Sequence, residues 1–357
     1  MKHRSPDSFS STTKSRFMTF DHGVFTVSLD FELLWGVRET RTIESYGANL
    51  RGVREAIPRM LDVFAANGIH ATWATVGFLF HRNADELRAA LPPPSLRPNY
   101  VRAGISPYEY IDAGQALDPL YHFAPELVER IAEQPGQAIG THTYSHYYCL
   151  EQGQGLREFE ADIECATEVA RRAGLRLKSI VFPRNQCNED YLAALARHGI
   201  VCYRGTQGGH AYAASDKAGQ GYLRRATRLL DAYMNVSGHN THALESCFES
   251  APFNFPASSF LRPYSSKWAM LDGLRLGRIK NAMTDAALNK RLYHLWWHPH
   301  NFGRNTAQNI AFLERIAEHY VLLRERHGFA SLNMEELSEL AATRLVDQTS
   351  LPAAEPA

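Results

Sequence analysis

Apolar runs alternate with amphipathic segments along most of the chain, and short polar turns separate them. Apolar runs of strand length predict buried strands at residues 24–29, 69–76, 137–141, 178–182, 200–203 and 291–297. Helical spacing of apolar positions predicts helices at 53–67, 123–134, 156–173, 188–198, 222–234 and 306–326. Repeated strand–helix units favour a parallel sheet, and their number favours a barrel over an open sheet.

Two long stretches interrupt this rhythm, at residues 91–121 and 236–266, and both are rich in proline or aromatic residues. Long loops in a compact domain are usually functional or disordered, so we expect these two to shape a substrate cleft. The polar segment 1–20 predicts a disordered leader, and 345–357 predicts a disordered tail. Residues 21–344 are therefore predicted to form a single α/β domain.

Composition adds constraints on the class of protein. The chain has 357 residues, 45% of them hydrophobic, and 38 basic residues balance 38 acidic ones. This balance gives no electrostatic reason to expect nucleic acid as a partner. The five cysteines never occur as Cys-x-x-Cys, and no apolar run approaches the ~18 residues of a membrane span. The sequence predicts a cytoplasmic enzyme without an integral membrane segment, and leaves its oligomeric state open.

Candidate chemistry begins with His142 and His146, directly after the predicted strand at 137–141. Spacing alone is weak evidence, because a chain with 16 histidines produces such pairs by chance, and His294 and His298 form a second one. Position favours a functional interpretation, since parallel α/β folds place their chemistry at the carboxyl ends of strands. Tyr147 follows the pair and is a candidate for substrate contact.

Asp30 and Glu32 end the predicted strand at 24–29 within an otherwise apolar context. Alternation along a strand places both carboxylates on one side, and acidic groups in such surroundings need a partner or a metal. One carboxylate could bind an ion while the other acts as a general base. Two histidines and a carboxylate form a common zinc-hydrolase ligand set that leaves one position open for water.

Two further strand ends carry candidates. Arg184 could clamp Asp30 through paired hydrogen bonds and hold it ionised. The strand at 291–297 leads into His298 and His300, and a histidine there could protonate a leaving group. A second metal site formed by His294, His298 and His300 is the disfavoured alternative, because an extended strand separates the first two. Besides Tyr147, the expected substrate contacts are Trp35, Trp297 and His300.

In this order the motifs resemble those of the polysaccharide deacetylase superfamily, also called the chitooligosaccharide deacetylase homology family. The matching segments are Ser-Leu-Asp-Phe-Glu at 28–32, Ala-Thr-Trp-Ala-Thr-Val-Gly at 71–77, His-Thr-Tyr-Ser-His at 142–146, Phe-Pro-Arg at 182–184 and Trp-Trp-His at 296–298. The resemblance implies a deformed (β/α)7 barrel with a divalent metal, typically Zn²⁺, with Co²⁺, Ni²⁺ or Mn²⁺ as alternatives. By position it assigns the base to Asp30, the metal ligands to Glu32, His142 and His146, the base-orienting arginine to Arg184 and the catalytic acid to His298.

Two departures from the family pattern stand out. Glu32 replaces the family's metal-binding aspartate, with one residue inserted after Asp30. The Asp-plus-Trp motif that braces the acid histidine is not evident near residues 200–204, and Asp231 is a substitute candidate.

The sequence therefore predicts a metal-dependent hydrolase that removes an acetyl group from an N-acetylated sugar of a glycan, lipid-linked sugar or sugar precursor. Two alternatives stay open. The same barrel could cleave a non-sugar amide or ureide, or the chain could be an inactive, glycan-binding member.

Overall fold

The computed structural model describes residues 20–206 and 238–350, with side chains described as far as residue 345. The predicted strands at 178–182 and 200–203 shorten to two residues each, and the other predicted strands extend over five residues or more. The strands are β1 (Val24–Phe31), β2 (Ala71–Thr75), β3 (Gln137–Thr141), β4 (Ser179–Ile180), β5 (Cys202–Tyr203), β6 (His242–Ala243), β7 (Phe253–Asn254), β8 (Ser259–Phe260), β9 (Arg291–Trp297) and β10 (Ala330–Ser331).

The sheet is parallel in the order β9-β1-β2-β3-β4-β5-β7, with β8 returning to pair with β9. Two adjacent residues between β7 and β8 donate backbone hydrogen bonds to opposite ends of the sheet, one beside β5 and the other on β9. The amide of Ala257 donates to Gly205 at 3.0 Å, and that of Ser258 donates to His294 at 2.8 Å. This segment therefore closes the sheet, and the described residues form the predicted deformed (β/α)7 barrel. The short β6 is antiparallel to β9, and β10 pairs in parallel with the start of β1.

Helices cover the outside of the barrel. Along the second helix the residues Val53, Ile57, Met60 and Phe64 recur at helical spacing, and all four are buried. That helix ends where Gly68 adopts a left-handed conformation with φ of 66°, as predicted for a helix C-cap. The helices are α1 (Ile43–Arg51), α2 (Val53–Asn67), α3 (Ala84–Ala89), α4 (Pro107–Asp112), α5 (Pro119–His122), α6 (Pro125–Ala132), α7 (Leu156–Arg172), α8 (Leu192–Arg197), α9 (Leu244–Cys247), α10 (Asp272–Leu288), α11 (Thr306–His327) and α12 (Met334–Ser350).

Several predicted boundaries match the structure, including the strands at 137–141 and 291–297 and the helix at 53–67. The sequence pattern did not predict α1, α3, α4, α5, α9, α10 and α12. The last of these continues to Ser350, so the predicted domain boundary at 344 falls within a helix. The predicted leader up to residue 19, the predicted helix at 222–234 and Asp231 lie outside the described residues.

In the part of the chain that the structure describes, none of the helices combines the length and apolar character needed to cross a bilayer.

Candidate active site

Three side chains converge at the carboxyl ends of the central strands. Glu32 follows β1, and His142 and His146 follow β3. Oε2 of Glu32 lies 3.3 Å from Nε2 of His142 and 3.1 Å from Nε2 of His146. One ligand atom from each residue lies within 4.8 Å of the other two, and all three residues are buried. The structure thus brings together the three residues predicted as metal ligands.

The loop that carries the histidines is held by a buried carboxylate and a glycine. Asp162 on α7 accepts hydrogen bonds from the amides of Tyr144, at 2.6 Å, and Ser145, at 3.1 Å. Gly77 lies against this loop so closely that a Cβ there would stand 2.4 Å from Cδ2 of Tyr144. Gly77, the last residue of the Ala-Thr-Trp-Ala-Thr-Val-Gly segment, therefore allows the histidine loop to pack on the end of β2.

In both histidines the Nδ1 atom, which points away from Glu32, contacts a polar group. Nδ1 of His142 donates to the carbonyl of Val181 at 2.8 Å, which leaves its Nε2 lone pair toward Glu32. Nδ1 of His146 lies 3.0 Å from the hydroxyl of Tyr148. Burial lowers the pKa of His146 to about 4 against the opposing effect of Glu32, so this imidazole is neutral at pH 7. Neutral imidazoles with engaged Nδ1 atoms are the form in which histidine binds metal.

Glu32 is ionised and closely packed. Burial alone would raise its pKa, but the nearby imidazole of His298 holds the pKa well below its usual range. Gly36 lies beneath the carboxylate, and a Cβ there would stand 1.9 Å from Cδ of Glu32. The longer side chain that replaces the family's aspartate is accommodated where residue 36 has no side chain.

Asp30 pairs with a buried arginine that was not predicted from the sequence. Nη1 and Nη2 of Arg204 bind the two carboxylate oxygens of Asp30 at 2.7 and 2.8 Å. Burial would raise the pKa of Asp30, yet the charge of Arg204 lowers it. The carboxylate is therefore held ionised and fixed in orientation by a two-point contact.

The predicted contact between Arg184 and Asp30 was wrong. Arg184 lies in a turn after β4 with φ of 56°, and its guanidinium binds Glu39 and Glu151 instead. Arg204 follows β5 directly and reaches Asp30 from there. The sequence signal that could have identified Arg204 is its position at the end of a predicted strand, the same signal that Arg184 carries.

A buried polar chain continues from Arg204 to β9. Nδ1 of His294 donates to the carbonyl of Phe255 at 3.0 Å, so its Nε2 accepts from the hydroxyl of Ser28 at 2.8 Å. Ser28 in turn accepts from Nη1 of Arg204 at 2.9 Å. Burial lowers the pKa of His294 to about 3, so this histidine is a neutral structural partner of the Asp30–Arg204 pair.

His298 faces both carboxylates. Its Nε2 lies 3.8 Å from Oδ2 of Asp30 and 3.6 Å from Oε1 of Glu32, and its side chain is 22% exposed. His300 stacks on it with ring centroids 5.0 Å apart, and is itself buried. Within residues 20–206 and 238–350, no acidic side chain contacts Nδ1 of His298; the candidate brace Asp231 lies outside them.

Three of the expected substrate contacts are core residues. Trp35, Tyr147 and Trp297 are each 0% exposed. The indole of Trp35 donates to the carbonyl of His122, and the hydroxyl of Tyr147 bonds within its own loop. On β9 it is Trp296, partly exposed, that packs over Arg204 at 4.2 Å and beside His298. The prediction that Trp35, Tyr147 and Trp297 face substrate was therefore wrong.

A family model and known structures of the same fold match this chain. Residues 11–203, more than half of the chain, match the family model described as polysaccharide deacetylase. A crystal structure described as a polysaccharide deacetylase from Mycobacterium smegmatis is similar, with a TM-score of 0.56, 13% identity and 96% of each chain covered. The allantoinase PuuE has a TM-score of 0.50 and 11% identity over 94% of this chain and 97% of that one. Among curated protein sequences, no significant relative is found. The two structures share the fold, and the family match shows that this chain belongs to the polysaccharide deacetylase family.

Proposed function

We propose that this protein is a metal-dependent hydrolase that removes the acetyl group from an N-acetylated sugar. The observation that carries the proposal is the convergence of Glu32, His142 and His146 beside the Asp30–Arg204 pair. Family membership supports an acetylated carbohydrate as the substrate class.

The three converging residues suit a divalent ion, with Zn²⁺ favoured and Co²⁺, Ni²⁺ or Mn²⁺ as alternatives. The fit rests on a buried carboxylate and two imidazoles whose Nδ1 atoms face other partners, so that their Nε2 atoms share one point. When bound, such an ion would supply Lewis acidity that polarises the acyl carbonyl and activates water.

Two side chains of the protein have separate roles in proton transfer, one as the acceptor and the other as the donor. Asp30 is ionised and oriented by Arg204, so it is suited to take a proton from the attacking water. His298 is partly exposed and faces the same carboxylate at 3.8 Å, so it is placed to give a proton to the departing amine. Arg204 keeps Asp30 from rotating away, because both carboxylate oxygens are bound.

The test is acetate release by the Zn²⁺-loaded protein from a panel of N-acetylated sugars, glycan oligomers and sugar nucleotides, with ureides and simple amides alongside. We expect Asp30→Asn to lower turnover by about 10²–10⁴-fold and to keep its zinc. His142→Ala should lose both its turnover and its bound zinc. The matched control is Asp190→Asn, which changes an exposed aspartate outside the site and should retain both.

Undiminished turnover in Asp30→Asn would contradict the assignment of the base. If the protein hydrolyses a ureide or a simple amide but no acetylated sugar, the alternative function on a non-sugar amide or ureide is favoured. Zinc-loaded protein that binds glycan and turns over nothing would indicate the inactive alternative.

A further inference from the structure

A buried hydrogen-bond chain leads from His146 away from the proposed metal position. The hydroxyl of Tyr148 lies 3.0 Å from Nδ1 of His146 and also contacts a carboxylate oxygen of Glu39. Tyr148 is 0% exposed, and the side chain of Glu39 is 6% exposed. Tyr148 follows the histidine pair in the sequence, but Glu39 was not expected to take part in the site.

Two arginines from different loops anchor the outer end of this chain. Arg102 and Arg184 each bind both Glu39 and Glu151, which joins the loop around residue 102 to the turn after β4. The guanidinium of Arg184 also packs over the ring of Tyr148, at 4.1 Å from its centroid. The tyrosine is thus held on its face and at its hydroxyl.

The charges fix the direction of each hydrogen bond. Burial alone would raise the pKa of Glu39, but the hydrogen bond from Tyr148 and the charge of Arg184 lower it to about 2. An ionised Glu39 can only accept, so the hydrogen atom of their hydrogen bond comes from the hydroxyl of Tyr148. Tyr148 therefore donates to Glu39, and its oxygen accepts the Nδ1 proton of His146.

We propose that Tyr148 and Glu39 are positioning residues that fix the tautomer and orientation of His146 for metal binding. With its proton on Nδ1, His146 directs the Nε2 lone pair toward Glu32, 3.1 Å away. The inference rests on the proposed function, since it assumes that His146 is a metal ligand. Outer hydrogen-bond partners of metal-binding histidines typically contribute about 10–100-fold to metal affinity.

The test is Zn²⁺ affinity, measured by competition with a chromophoric chelator for wild type, Tyr148→Phe and Tyr147→Phe. The neighbouring tyrosine is a matched control, because it is equally buried but bonds to Gln154 and Gly155. We expect about 10–100-fold weaker binding in Tyr148→Phe and wild-type affinity in Tyr147→Phe. Glu39→Gln should weaken binding as well, since a neutral amide no longer fixes the direction of the hydroxyl.

Wild-type affinity in both Tyr148→Phe and Glu39→Gln would overturn this inference and leave the proposed function intact. A wild-type protein that binds no zinc would overturn both. If Tyr148→Phe fails to fold, as judged by circular dichroism, the affinity of Glu39→Gln decides. Equal losses in Tyr147→Phe and Tyr148→Phe would indicate a general packing effect and contradict the positioning role.

Discussion

At the scale of single residues, Glu32 reaches the two histidines because residue 36 is a glycine. The carboxylate occupies the space that a side chain at this position would take, since a Cβ on residue 36 would stand 1.9 Å from Cδ of Glu32. Gly36 contributes no ligand atom, yet it allows the longer acidic residue to stand where the family has an aspartate.

We therefore expect Gly36→Ala to lower Zn²⁺ affinity by about tenfold or more, because the added methyl displaces Glu32 from the histidines. Chelator competition measures the affinity, and urea unfolding reports any general loss of stability. Gly273→Ala is the control, since a Cβ there meets nothing within 4 Å. Unchanged zinc binding in Gly36→Ala would contradict this account of Glu32.

The sequence allowed the converging residues to be predicted better than their partners. Asp30, Glu32, His142 and His146 were proposed together because each lies at or just past the carboxyl end of a predicted strand in a parallel fold. The choice of Arg184 over Arg204 failed because both follow strands, and only the turn geometry after β4 decides which guanidinium reaches Asp30. The contact between Tyr148 and Glu39 gave no comparable signal, since it joins positions 109 residues apart.

At the scale of elements, β9 shows what the alternation of side chains along a strand can and cannot predict. The pattern predicts that Trp296 and Trp297 face opposite sides, but not which one faces the site. In the structure Trp297 packs in the core beside Phe64 and Phe302, and Trp296 covers Arg204.

Substitution of the two tryptophans should have different effects. Trp297→Ala should lower the free energy of unfolding by about 3–5 kcal/mol, because it leaves a cavity in the core. Trp296→Ala should cost less stability but reduce turnover, since it uncovers Arg204. Urea unfolding and acetate release distinguish them, and the reverse pattern would show that the strand faces the other way.

The helix α7 supports the histidine loop through Asp162, and this contact should depend on pH. Burial raises the pKa of Asp162 to about 6, against the hydrogen bonds from Ser145 and Tyr144. A carboxyl group that is a weaker acid in the folded state favours folding at low pH. Its contribution is fully present below its ordinary pKa of 3.8 and is lost as pH rises through about 6.

The free energy of unfolding of wild type relative to Asp162→Asn should therefore fall between about pH 4 and pH 7, by on the order of 3 kcal/mol. The comparison removes the effect of other titrating groups common to both proteins. Urea unfolding at several pH values measures the difference. A difference that is constant over this range, or that grows with pH, would contradict the assignment.

At the scale of the whole molecule, the family resemblance implied a deformed (β/α)7 barrel, and the strand–helix rhythm favoured a parallel barrel. That rhythm did not reveal how the barrel closes, because β7 and β8 are two-residue strands that pair with β5 and β9, which are distant from them in sequence. It also missed α10, where Gly273 and Gly277 weaken the helical signal. The cytoplasmic location remains a prediction from the sequence alone.

The central claim is that Glu32, His142 and His146 hold one divalent ion in this barrel. Zinc content per chain, measured after saturation and exhaustive dialysis of wild type and Glu32→Gln, tests it most directly. The account predicts about one zinc per wild-type chain, and a large loss in a Glu32→Gln protein that remains folded. A wild-type chain without zinc, or a Glu32→Gln chain that retains it fully, would contradict the claim.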